Sequence, residues 1–126
     1  MTVVVDASAI LALLWSEPGS EVVADVIGDA LVSSVNLAEV CSKLADRGIG
    51  SDAFRELLTD LPIRIAVFDE GQAYIVGELR DQTRPLGLSI GDRACLGLAI
   101  LESAGVVTAD KAWRNLDLGI RMTFIR

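Results

Sequence analysis

Short β-branched runs recur along this chain, and a helical pattern separates each from the next. Residues 2–5, 30–34, 63–68, 106–108 and 121–125 read as strands. Helical patterns fill 7–15, 20–28, 36–48, 51–61, 69–82 and 89–105, and 110–113 reads as a helical turn. Gly28, Gly48 and Gly105 stand at predicted helix ends, and Ser51 at a predicted N-cap. Strands joined through helices need crossover connections, so the pattern predicts a parallel sheet covered on both faces. An apolar content of 52% suits elements buried on more than one side. No repeat, linker or low-complexity tract interrupts the pattern, so residues 1–126 read as one α/β domain.

Histidine is absent. That excludes Ser-His-Asp and Cys-His nucleophile pairs and any imidazole-bound zinc. Chemistry here rests on carboxylates, hydroxyls, basic side chains or a hard metal ion. Cys41 and Cys95 lie inside helical patterns and read as small buried residues of a reducing compartment. No uncharged stretch approaches the roughly 20 residues that cross a bilayer. "MTVVVD" lacks the basic start of a signal peptide, so a cytoplasmic location is expected. The net charge of −7 is uneven: residues 1–79 carry 4 basic and 13 acidic side chains, residues 80–126 carry 7 and 5. The second part leaves room for a basic face of Arg80, Arg84, Arg93, Lys111 and Arg114 on an otherwise acidic molecule.

In open parallel sheets ligands gather beyond the carboxyl ends of the strands, near a switch in strand order. Two acids stand there: Asp6 follows "VVV", and Asp110 follows the strand "VVT". Each also suits the N-cap of the segment behind it. If the two strands are neighbours, both carboxylates share one edge. Asp92 lies in "SIGDRACLGLAIL", where Ser89 and Asp92 fit a capping box. It also sits above Leu96 and Ala99 on an apolar stripe, where a carboxylate needs a partner. Glu39 falls opposite the stripe of Leu37, Val40, Cys41 and Leu44, within reach of an i,i+4 pair with Lys43. Clustered carboxylates repel one another unless a cation joins them. Mg²⁺ or Mn²⁺ takes oxygen ligands and can activate water against a phosphodiester without histidine.

The ordered set "VVVDASAILALL", "SSVNLAEVCSKL", "GLSIGDRACLGLA" and "VVTADKAW" resembles the PIN-domain ribonucleases, most of all the VapC-type toxins of prokaryotic toxin–antitoxin pairs. The resemblance covers nearly the whole length. It implies a three-layer α/β/α sandwich with a central, mainly parallel sheet. It also implies that Asp6, Glu39, Asp92 and Asp110 form an acidic Mg²⁺ or Mn²⁺ site, supported by Ser8, Asn36 and Thr108. The activity implied is RNA cleavage by a homodimer silenced by a cognate antitoxin. Asp117 lies near the last motif without a clear place in it.

Arg93 and Lys111 neighbour two of the acids and are, with Arg114, the basic candidates for an RNA phosphate. Trp113, three residues after Asp110, is either a packing residue or a surface on which a base stacks. Trp15 ends the first apolar helix and reads as packing, or as part of a groove for a partner helix. Two other classes remain open. A receiver-like phosphoacceptor would also use strand-end acids, with Thr108 and Lys111 in suggestive positions, but it favours adjacent acids after the first strand. A D-x-D phosphatase fails because Ser8 holds the second position. The last alternative is a binding module that keeps its acids only as caps.

Overall fold

The computed structural model describes residues 1–126. Its elements run β1 (Val3–Val5), α1 (Ala7–Leu14), α2 (Ser20–Val26), β2 (Ala30–Ser33), α3 (Ser34–Asp46), α4 (Ser51–Thr59) and β3 (Arg64–Ala66). The chain continues through α5 (Glu70–Thr83), α6 (Ile90–Glu102), β4 (Gly105–Thr108) and β5 (Met122–Phe124). Short 3₁₀ turns occupy Ile27–Asp29, Arg84–Leu86 and Lys111–Asn115. The five strands form one sheet in the order β3-β2-β1-β4-β5, and all four pairings are parallel. This is the expected three-layer α/β/α sandwich, with a sheet that is wholly parallel.

Alternation along the strands divides the core in two. Val5, Val32 and Val107 face the layer of α1 to α4, where they meet Ile10, Val23, Val40, Leu44 and Leu58. Val4, Leu31 and Val106 face α6, α5 and the turn after β4, against Leu79, Leu96, Leu98 and Trp113. β1 is the centre of the sheet. After β3 the chain crosses back over β1 to lay down β4 on its other side, so the strand order switches between β1 and β4. A crevice is expected at that switch.

Several boundaries differ from the sequence pattern for local reasons. The strand expected over 63–68 stops at Ala66, because its partner β2 ends at Ser33, which caps α3. Val67 and Phe68 instead bond to side chains: Gln72 Nε2 donates to the Val67 carbonyl, and the Phe68 N–H donates to Ser34 Oγ. Helix α3 begins two residues earlier than its apolar pattern, with the Val35 N–H donating to Ser33 Oγ at 3.2 Å. Helix α4 is capped by Gly50, and Ser51 Oγ accepts from Arg55 Nε at 3.4 Å instead of capping. Helix α6 ends before Gly105. Ser103 takes the left-handed conformation, the Ala104 N–H reaches back to the Ala99 carbonyl, and Gly105 is drawn into β4 opposite Val3.

Candidate active site

Register builds the centre of the site. Val5 pairs with Val107, so the next residues on each strand, Asp6 and Thr108, emerge side by side at the sheet's carboxyl edge. Thr108 Oγ1 donates to Asp6 Oδ2 at 2.6 Å and accepts the Asp110 N–H at 3.0 Å. Ser8 Oγ donates to the same carboxylate, 2.7 Å from Oδ1 and 2.9 Å from Oδ2, and accepts the Ala109 N–H at 3.0 Å. The Ala9 N–H completes the set on Oδ1 at 3.0 Å. Asp6 is therefore the N-cap of α1 and also the hub of a network across the strand switch. Two hydroxyls on it relay to the backbone that carries Asp110.

Asp6 is buried, and burial pushes its carboxyl from an ordinary 3.8 up to about 6. The hydrogen bonds from Thr108, Ala9 and Ser8 pull the other way, and the neighbouring Asp92 charge adds to the rise. Four donor contacts do not offset the loss of water here, so the ionised form is costly in the protein alone. Cys95 lies fully buried nearby; burial raises its thiol strongly, with smaller contributions from Asp6, Asp92 and Glu39. It is a neutral packing residue, as its place in the helix suggests.

The other acids arrive from separate elements. Asp110 caps the turn after β4, with Oδ1 accepting the Ala112 N–H at 3.0 Å. Asp92 closes the capping box on α6: its Oδ2 accepts the Ser89 N–H at 3.0 Å, and its own N–H donates to Ser89 Oγ at 3.1 Å. Glu39 forms no ion pair with Lys43. Its Oε1 accepts from Asn36 Nδ2 at 2.7 Å, one helical turn earlier on the same face. Asn36 Nδ2 also donates to the Gly91 carbonyl at 3.0 Å, tying α3 to the first turn of α6. All four acids line one cavity of about 180 Å³, together with Ser8, Asn36 and Lys43.

Two of these participants are not evident from the sequence pattern. Lys43 occupies the i+4 position that suggests a pair with Glu39, yet it stands exposed at the cavity's rim. Gly91 is buried, and a Cβ placed there would lie 2.5 Å from Glu39 Cδ and 2.8 Å from Oε2. The Glu39 carboxylate uses the space that any other residue would fill. The signal was present in "SIGDRA", where a glycine inside a helix sacrifices propensity and so implies a close approach.

The basic and aromatic candidates fall elsewhere. Trp113 has no exposed surface and belongs to the core, so it offers no face to a base. Arg93 turns away from Asp92, because adjacent helical residues point about 100° apart. Its Nη1 donates to the Val76 carbonyl on α5 at 3.0 Å. Lys111 and Arg114 are exposed on the turn after Asp110 and do not line the cavity; the Arg114 guanidinium covers the Phe124 ring at 4.9 Å. Asp117 is exposed and also lies outside it.

The donor set suits a hard cation. Every acidic ligand is a carboxylate, the buried Asp6 charge lacks a counter-charge, and the buried Asn36 Oδ1 has no hydrogen-bond partner. No three acids converge into a closed metal cage. An ion here would be held by one or two of the carboxylates and keep several waters, as Mg²⁺ commonly does.

The PIN domain family matches residues 3–118, and the chain belongs to that family. PIN domains are generally nucleases and generally depend on divalent metal. No curated protein matches the chain significantly. Among solved structures it is similar to a toxin–antitoxin complex from Klebsiella pneumoniae, with a TM-score of 0.77 and 16% identity over 98% of each chain. It is also similar to a DNA-bound VapBC from Salmonella typhimurium, at 0.76 and 16% over 100% of this chain and 99% of that one. FitAcB from Neisseria gonorrhoeae follows at 0.71 and 22%, over 99% and 98%. At these identities the likeness shows a shared fold.

Proposed function

We propose that the protein is a Mg²⁺- or Mn²⁺-dependent endoribonuclease acting as the toxin of a toxin–antitoxin pair. The observation that carries this is the gathering of four acids from four separate segments around one cavity at the strand switch, with the most buried of them left uncompensated. Asp6, Asp92, Asp110 and Glu39 would hold the ion directly or through its waters. When bound, such an ion supplies an activated water and stabilises charge on a phosphodiester. Ser8 and Thr108 fix the direction of the Asp6 carboxylate and keep donors on both its oxygens. Asn36 steadies Glu39 at the mouth, where a carboxylate is placed to accept a proton from water. Lys43 brings a positive charge to the side where a phosphate would approach.

An antitoxin partner and a homodimer are part of the proposal. They are supported by the toxin–antitoxin complexes among the similar structures and by apolar side chains left on the surface, including Val67, Tyr74, Ile90 and Leu101. An apolar groove between α3 and α4, lined by Leu37, Cys41, Phe54 and Leu58, suits a partner's hydrophobic segment. No helix is long and apolar enough to cross a membrane, and a cytoplasmic location is the companion proposal. A receiver-like role fits less well, since Asp6 is enclosed by Ser8, Ala9 and Thr108 while Lys111 lies away from the cavity. The test is to incubate antitoxin-free protein with tRNA, rRNA and mRNA, adding Mg²⁺ or Mn²⁺, then EDTA, then Asp6→Asn. Cleavage that needs the ion and Asp6 is expected; no cleavage of any RNA with either ion would overturn the enzyme proposal.

A further inference from the structure

A second cavity, of about 440 Å³, opens from the acidic one. The two share Ser8, Leu11 and Lys43, so they form one continuous groove that runs between α1 and α3. Its far part is lined by Trp15, Arg47 and Arg126, with Glu17 and Asp46. The charge here runs against that of the rest of the molecule. Residues 1–79 carry only 4 basic side chains against 13 acidic ones, yet two of the four, Lys43 and Arg47, stand at this groove. Neither is in an ion pair. Glu17, by contrast, is matched by Arg126, 3.5 Å away.

The spacing is regular. Glu39, Lys43 and Arg47 follow at four-residue steps along α3 and its C-cap, so each is advanced about 6 Å from the last on nearly one face. The row leads from the acids outward, with negative charge at the reacting end and positive charge beyond it. At its end the Arg47 guanidinium lies over the Trp15 ring, 4.0 Å from the centroid. Trp15 is partly buried and backs the guanidinium, while Arg47 itself is exposed. An exposed guanidinium backed by an indole is a surface on which a nucleobase stacks regardless of its identity. Free cations, an aromatic platform and continuity with the acids describe a path for a single nucleic-acid strand.

We propose that this groove holds the single-stranded RNA flanking the cleaved phosphate on one side, with Lys43 facing its backbone and a base stacked on the Arg47–Trp15 pair. The proposal rests on the ribonuclease reading for the identity of the strand. It also moves the substrate-binding surface from Arg93, Lys111 and Arg114, which do not line the groove, onto α1 and α3.

The test uses the full chain and a single-stranded RNA oligonucleotide in EDTA, where the strand binds without being cut because the proposed chemistry lacks its ion. Arg47→Ala is expected to weaken binding by about tenfold, and to make the fall of affinity with salt shallower by roughly 0.7 in log–log slope. Arg47→Lys keeps the charge and loses the stacking surface, so it should restore the salt slope and leave most of the affinity loss. Arg114→Ala, outside the groove, should bind as the unaltered protein does. For cleavable RNA, Arg47→Ala should raise KM on a long strand. Unaltered affinity and salt slope in Arg47→Ala would overturn the groove while leaving the ribonuclease reading standing. Arg47-dependent binding without cleavage under Mg²⁺ or Mn²⁺ would support the groove and sink that reading instead.

Discussion

Replacing Asp6 with asparagine isolates the cost of keeping a carboxylate in this site without a cation. The folded carboxyl titrates near 6 while its ordinary value is 3.8, a difference of about 3 kcal/mol between its two protonation states. The folded protein therefore holds this proton longer than the unfolded chain does. Stability from this group is full below the unfolded value, falls as pH rises toward 6, and stays at its lower level above that. Asparagine is neutral throughout. Its Oδ1 can take the Ala9 N–H and the Ser8 hydroxyl, and its amide can donate to Thr108 Oγ1, so the network survives in altered form. In EDTA, the stability of Asp6→Asn relative to the unaltered protein should improve by about 2.5 kcal/mol between about pH 4 and about pH 7.5. In melting temperature that is a change of about 10 °C in the difference between the two proteins. Circular-dichroism melts across the pH range measure it, and carboxylates that do not interact with Asp6 cancel because both proteins share them. Added Mg²⁺ should recover melting temperature in the unaltered protein and do little for the variant. A pH-independent difference would refute the claim that Asp6 is ionised at a cost.

Three further outcomes follow from the geometry. Gly91→Ala should leave the fold intact, since alanine favours a helix by up to about 1 kcal/mol and the flexible Glu39 end can yield. It should lower divalent-cation affinity by calorimetry at least tenfold on the order expected for a disturbed ligand shell, with no added loss in a Glu39→Gln background; additive losses would show that Gly91 acts elsewhere. Thr108→Val removes the donor to Asp6 and the acceptor for the Asp110 N–H, and urea unfolding should show a loss of about 1–3 kcal/mol. A neutral result there would mean the hydroxyl is not needed to satisfy either group. Trp113→Ala should cost about 3–5 kcal/mol as a core truncation, whereas reduced RNA binding at unchanged stability would restore the stacking role.

How far the sequence could be read depended on whether a residue's role is local. Asp6, Asp92 and Asp110 are legible as caps because a cap is written within three or four residues, and each does cap. That explanation never competed with a site, since a carboxylate has lone pairs for the backbone and others to spare. The parallel order was legible because crossover helices leave no other connection. The rim was not. Arg93, Lys111, Arg114 and Trp113 were placed by nearness in sequence, but a single helical step turned Arg93 toward α5, and the turn after Asp110 folded Trp113 into the core. Gly91 matters through side chains far back in the chain, as when Asn36 reaches its carbonyl across 55 residues, and Lys43 through a cavity lined from Asp6 to Asp110. Ser51 and Gly105 erred by the same logic at smaller scale, where strand pairing and side-chain competition moved the boundary.

The route of the chain through the sheet has a consequence for synthesis. β1 precedes the other strands of the sheet and lies at its centre, but its partner on the side of the acids, β4, emerges only after β2 and β3. Until β4 pairs, Asp6 lacks the Thr108 hydroxyl and Asp110 has no place. A ribosome-bound chain ending anywhere before residue 108 thus carries at most three of the four acids and no assembled centre. If the molecule is as harmful to RNA as proposed, the machinery translating it is spared from its product until β4 has emerged and paired with β1.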